Sequence, residues 1–265
     1  MKLSIGQAWD EAKRVFRADG GAIIAIALAL TVLPGTILET VSPSNTRTTD
    51  TPWWVGVLGL IVALIGLASQ IAISRVALGS STTVGGALKL ALQRLPALFG
   101  ALFLVALPFI LLGFLAVGGA VNPNNLPPAQ AAALLVLLLA GLFVLIRLLF
   151  MTPLAADRQD NSIALIRSAW RLSKGHFLKL LGLILLLMLV ALLLLGALGG
   201  ALSTVVLLAF GPVEAGNLSA LLVALLQQGL GAAVSVLFVV LICRLYVQAT
   251  GGSAGNVSVP HARGE

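Results

Sequence analysis

The run Phe177-Leu-Lys-Leu-Leu-Gly-Leu-Ile-Leu-Leu-Leu-Met-Leu-Val-Ala-Leu-Leu-Leu-Leu-Gly-Ala-Leu-Gly-Gly-Ala201 carries a single charge, Lys179, at its start. A helix rises about 1.5 Å per residue. The run is therefore long enough to cross the hydrocarbon core of a bilayer, which is about 30 Å thick. Five further runs have the same character: Gly21–Leu38, Trp53–Ile73, Ala97–Gly119, Ala131–Phe150 and Leu218–Ile242. Turn chemistry separates several of them, at Val41-Ser-Pro-Ser-Asn45, at Val121-Asn-Pro-Asn-Asn125 with Pro127 and Pro128, and at Phe210-Gly-Pro-Val213. Two longer breaks, 74–96 and 151–176, are basic. The fold class is thus all-α, a polytopic membrane bundle of six transmembrane helices.

Composition agrees. Of 265 residues, 59% are hydrophobic and 9% are charged, with a mean hydropathy of +1.09. A soluble domain carries about 25% charged residues. The chain cannot build the polar coat of a soluble enzyme, nor the charge-rich composition of a disordered protein. The first run has a charged lead-in with Asp10, Glu11 and Asp19, and Pro34-Gly35 stands where a small-residue cleavage pattern would be needed, so it reads as a retained span and not as a signal peptide.

A net charge of +7 invites a nucleic-acid reading until the charges are placed. Six spans put both termini on one side. If that side is cytoplasmic, 15 of the 16 basic residues lie inside and only Arg47 lies outside. The inner segments then sum to +9 and the outer ones to −2. This is the positive-inside pattern, and no nucleic-acid partner is needed to explain it. Both termini are predicted to be cytoplasmic.

The segments before the first, third and fifth runs resemble one another: Ile5, Ala8, Trp9, Ala12, Phe16; Val84, Ala87, Leu88, Ala91, Leu95; and Ile166, Ala169, Trp170, Ser173, Phe177. Each set lies on one face of a helix, with basic residues opposite. Ser4, Thr83 and Asn161 or Ser162 are candidate N-caps. Three amphipathic helices at the membrane surface are expected. Each is followed by two spans that end at an arginine: Arg75, Arg147 and Arg244. The chain thus divides into three repeat units, about 1–79, 80–158 and 159–250, in one integral membrane domain, with a flexible cytoplasmic tail at 251–265.

Catalytic chemistry is hard to find. Cys243 is the lone cysteine, and His176 and His261 are the only histidines. They offer too few ligands for a metal centre, so no metal, cofactor or catalytic residue is predicted. Arg75, Arg147 and Arg244 are the candidate lipid-phosphate ligands, because a guanidinium fork matches a phosphate and basic clefts between spans hold anionic headgroups. The alternative is that each snorkels to the interface as an anchor. Trp9, Trp53, Trp54 and Trp170, with Arg167, Arg171 and Lys174, read as interfacial anchors. Gly59-x3-Ala63, Gly196-x3-Gly200 and Gly229-x3-Ala233 have the spacing of close helix packing. Pro108 is expected to kink its span.

The stretch Asp160–Gly182 resembles the bacterial glycerophosphoryl diester phosphodiesterase membrane domain family. Arg167, Trp170, Leu172, Gly175 and Phe177 carry the likeness, with Arg147, Pro153 and Asp157 before them. It covers roughly residues 145–185; elsewhere only the span layout agrees. The resemblance implies a multi-pass protein of the bacterial inner membrane without the family's catalytic barrel. The expected function is non-enzymatic: binding of anionic membrane phospholipid at the cytoplasmic leaflet, in an envelope or lipid-related accessory role. The alternative is a small-solute channel or facilitator. No mid-span carboxylate is present to support a proton- or sodium-coupled carrier.

Overall fold

The computed structural model describes residues 4–42, 52–79, 83–117 and 127–251. The turns at 43–51 and 118–126, with Arg47 and Asp50, and the tail beyond 251, with His261, lie outside the described residues.

Among the described residues twelve helical segments follow one another: α1 (Ile5–Ala27), a π-helical stretch (Leu28–Val32), α2 (Leu33–Val41), α3 (Trp53–Ala77), α4 (Val84–Val117), α5 (Pro128–Arg147), α6 (Met151–Asp157), α7 (Ser162–Ser173), α8 (Phe177–Ala191), a second π-helical stretch (Leu192–Gly199), α9 (Gly200–Phe210) and α10 (Leu218–Ala249). They make six helices long and apolar enough to cross a membrane: Ile5–Val41, Trp53–Ala77, Val84–Ala116, Pro128–Asp157, Phe177–Phe210 and Leu218–Ala249. The predicted N-caps are in place. The Ser4, Thr83 and Asn161 side chains accept the backbone N–H of Gln7, Gly86 and Ala164 at 3.3, 3.2 and 3.1 Å. Asn217 does the same for Ala220 at the start of α10, at 2.7 Å.

Spans adjacent in sequence are adjacent in space, and the sixth packs back on the first, so the six form a closed ring. α3 also touches α10 across it. The ring is tight at the end that carries Arg75, Arg147 and Arg244, here called the basic end. The fully buried side chains concentrate there, among them Ile71, Phe150, Leu154, Leu165, Leu241 and Tyr246. α6 sits in the middle of this end, packed on α3, α4, α7 and α10, with Met151, Pro153, Leu154, Ala155 and Ala156 all buried. Toward the other end α2 stays packed on α3 and α10, with Thr36, Ser219, Ala220 and Ala224 buried, while the fourth and fifth spans are largely exposed. α5 has one buried residue, Ile146, and α9 has none. The leucines left exposed there suit a bilayer as solvent.

The structure departs from the sequence reading at the amphipathic segments. Only the third is a helix of its own. α7 stops at Ser173, and Gly175 takes a positive φ of 86° before α8 begins. Glycine adopts that left-handed geometry without steric cost. The positions equivalent to Gly175 in the first two units are Arg14 and Gln93, both good helix formers. There the helix runs on, and α1 and α4 carry their amphipathic turns straight into the span. The inward faces of the three segments also pack on protein: Ala8 and Ala12, Ala87 and Ala91, and Ala169 and Ser173 are all buried. α4 continues as one helix through both Pro96 and Pro108.

Within the spans Ser74, Thr40 and Thr204 return their hydroxyls to carbonyls of their own helix, and a hydroxyl pair bridges two spans. Thr31 Oγ1 donates to Ser69 Oγ at 3.0 Å, joining the first span to the second. Gly35 lies against Gln228 so closely that a Cβ there would stand 2.5 Å from the glutamine Oε1. This contact lies just past the π-helical stretch and Pro34.

Candidate functional site

The basic end is built from the last turns of α3, α5 and α10, from α6, and from the amphipathic turns of α1, α4 and α7. Arg75 Nη1 donates to the carbonyl of Ala156 at 3.5 Å. Arg244 Nη2 donates to the carbonyl of Ala77. Both acceptors lie in the last turn of a helix, where carbonyls lack intrahelical partners and carry the negative end of the helix dipole. Each guanidinium therefore caps a neighbouring helix. Beside Arg75, Tyr246 Oη donates to Asp157 Oδ2 at 2.7 Å, pinning the end of α6 to α10. Arg158 Nε stands 3.9 Å from the same carboxylate oxygen.

Arg147 has different company. Its guanidinium lies 5.3, 5.5 and 5.9 Å from the ring centroids of Phe143, Trp170 and Phe177. Phe143 meets Trp170 edge-on at 6.0 Å and Phe177 at 5.2 Å. Such stacking is worth about 2 kcal/mol when the cation is desolvated. Nε and Nη1 of Arg147 are buried with no hydrogen-bond partner among the described residues. The three repeated arginines thus go to three different sets of neighbours and do not meet at one point.

α7 has one face buried in the bundle and one turned outward. Leu165, Ala169 and Ser173 are buried against the bundle, and Ser162 Oγ fixes the helix start by donating to the Ala97 carbonyl at 2.8 Å. The other side bears Ile163, Ile166 and Trp170 next to Arg167, Arg171 and Lys174, around a shallow cavity of about 460 Å³. Ile163 is 62% exposed and Trp170 40%. Apolar groups on one flank and cations on the other make the composition of a helix at the headgroup level. Trp170 joins this ledge to Arg147.

The other predicted anchors are exposed at the start of their helices: Trp9 near the start of α1, and Trp53 and Trp54 at the first two positions of α3. His176 occupies the N-cap position of α8. Cys243 is free and buried. Among the described residues no group of His, Cys, Asp or Glu is placed to hold a metal ion.

Sequence reasoning missed the aromatic cage and the capping role of Arg75 and Arg244. The cage had a local signal, since Phe143 and Arg147 are four apart on one helix face. The caps had none, because their acceptors are backbone carbonyls on other helices.

No protein family, no characterised protein and no solved structure matches the chain, so the site is read from its own residues.

Proposed function

We propose that this integral membrane protein holds anionic phospholipid at the cytoplasmic leaflet and serves the envelope in an accessory, non-enzymatic role. The observation that carries the reading is the outward face of α7, where three exposed cations flank an exposed tryptophan and two isoleucines. Each basic residue near an anionic surface is worth about 1 kcal/mol. Three together give roughly a hundredfold preference for anionic over neutral headgroups. The basic end, filled by α6, favours this reading over passage of a solute through the ring.

The same reading takes the chain as three repeats. Three observations support it: the inward small residues are buried at matching positions of all three amphipathic segments; the second span of each unit packs on the first span of the next; and Arg75 reaches the second unit, Arg147 the third and Arg244 the first.

The test is thermal unfolding in detergent doped with phosphatidylglycerol or phosphatidylcholine. A ligand that binds the folded form raises the midpoint. Phosphatidylglycerol is expected to stabilise the wild type more than phosphatidylcholine does. The triple variant Arg167→Gln, Arg171→Gln, Lys174→Gln is expected to lose the difference, and Arg147→Gln to lose part of it. An equal response of wild type and triple variant to both lipids would overturn the reading.

A further inference from the structure

A second cavity, about 440 Å³, opens at the basic end between α1 and α10. Its charged lining is balanced: Arg14 and Arg244 against Glu11 and Asp19, over Val15 and Val247. Among the described residues no ion pair within 4 Å joins these four charges. Arg244 is held in place by its bond to the Ala77 carbonyl, and its Nε is buried with no hydrogen-bond partner among the described residues. Two cations beside two anions, with no ion pair among them, suit a ligand that carries both signs.

We infer that this cavity binds a zwitterion of the phosphoethanolamine type, with the phosphate on Arg244 and Arg14 and the ammonium on one of the two carboxylates that flank Arg14 along α1, Glu11 or Asp19. A guanidinium offers forked donors to phosphate oxygens. A primary ammonium offers three N–H donors to carboxylates. A quaternary ammonium offers none and is recognised by aromatic cages, and no aromatic ring lines this cavity. The site therefore selects the primary amine over choline. A purely anionic headgroup is disfavoured by the two carboxylates, which separates this site from the α7 ledge. The same zwitterion could reach the site on a membrane lipid or as a free phosphodiester.

The test uses the full chain in detergent and reads bound ligand by native mass spectrometry. The probes are phosphatidylethanolamine, phosphatidylglycerol, and the soluble glycerophosphoethanolamine and glycerol 3-phosphate. In the α7 triple variant Arg167→Gln, Arg171→Gln, Lys174→Gln, which lacks the ledge that draws anionic lipid, the ethanolamine member of each pair is expected to bind roughly fivefold tighter, the worth of one modest charge pair. Retention of the lipid alone assigns the source to the membrane, and retention of both assigns it to either. The double variant Glu11→Gln, Asp19→Asn is expected to abolish the preference for the amine. Ala18→Trp, at an exposed lining position, is expected to displace the zwitterion while leaving the core untouched. The α7 triple variant is expected to bind it as the wild type does, so failure here and failure of the anionic-lipid reading are separately visible. Equal binding of ethanolamine and anionic probes to the α7 triple variant overturns the inference, as does a preference that survives both Ala18→Trp and the carboxylate double variant.

Discussion

Single residues at the basic end carry two different kinds of work. Tyr246 is fully buried and its hydroxyl meets Asp157 at 2.7 Å. A hydrogen bond to a charged group contributes about 1.5–3 kcal/mol. Tyr246→Phe leaves the carboxylate with Arg158 alone, at 3.9 Å. The variant is expected to unfold in detergent with a stability lower by about 1–2 kcal/mol, measured as a lower thermal midpoint with no change in lipid selectivity. Arg147 is the opposite case. Its three rings favour the cation, yet two of its buried nitrogens lack hydrogen-bond partners. Each of the two unmet donors costs about 1–3 kcal/mol, and each of the three ring contacts returns up to about 2 kcal/mol, so the two sums are similar in size. Arg147→Met is therefore expected to change stability by less than about 1 kcal/mol while reducing the response to phosphatidylglycerol. A large loss of stability with the lipid response intact would make this arginine a structural post.

At the scale of elements, α7 decides whether the basic end has a ledge at all. Its start is fixed by the Asn161 cap and by the Ser162 bond to α4, and its end by Gly175 at φ 86°. Asn161→Ala is expected to cost about 1 kcal/mol and to speed hydrogen exchange of the amides in the first turn of α7. Gly175→Ala forces a side chain into the left-handed region, at a cost of about 1 kcal/mol or more, and is expected to loosen the α7–α8 junction by the same assay. The caps and the amphipathic pattern were legible in the sequence, because Ser4, Thr83 and Asn161 act on residues three positions away. Whether the amphipathic turns stay separate was decided by one glycine against an arginine and a glutamine, which the shared pattern concealed. The buried helix α6 was also concealed. Seven residues containing a proline give no helical period, and α6 is held by Arg75 and Tyr246 from distant spans. The π-helical stretches have no sequence signature beyond the nearby Pro34.

For the whole molecule, hydropathy alone fixed the number of spans, since a bilayer rewards length and apolarity whatever the tertiary contacts. It could not reveal a ring whose buried side chains concentrate at the basic end and whose fourth and fifth spans are largely exposed toward the other. By the positive-inside pattern the basic end is expected to face the cytoplasm. Single cysteines at Lys13, Gln159 and Glu214, all exposed, test this beside the buried Cys243. A membrane-impermeant thiol reagent added outside intact cells is expected to label the Glu214 position and to spare the other two; labelling of Lys13 or Gln159 from outside would reverse the orientation. The central claim is that the outward face of α7 holds anionic lipid, and its most direct test is native mass spectrometry of the protein released gently from its own membrane. The wild type is expected to retain anionic phospholipid that the Arg167→Gln, Arg171→Gln, Lys174→Gln variant lacks. The same bound lipids on both proteins, or none on either, would contradict it.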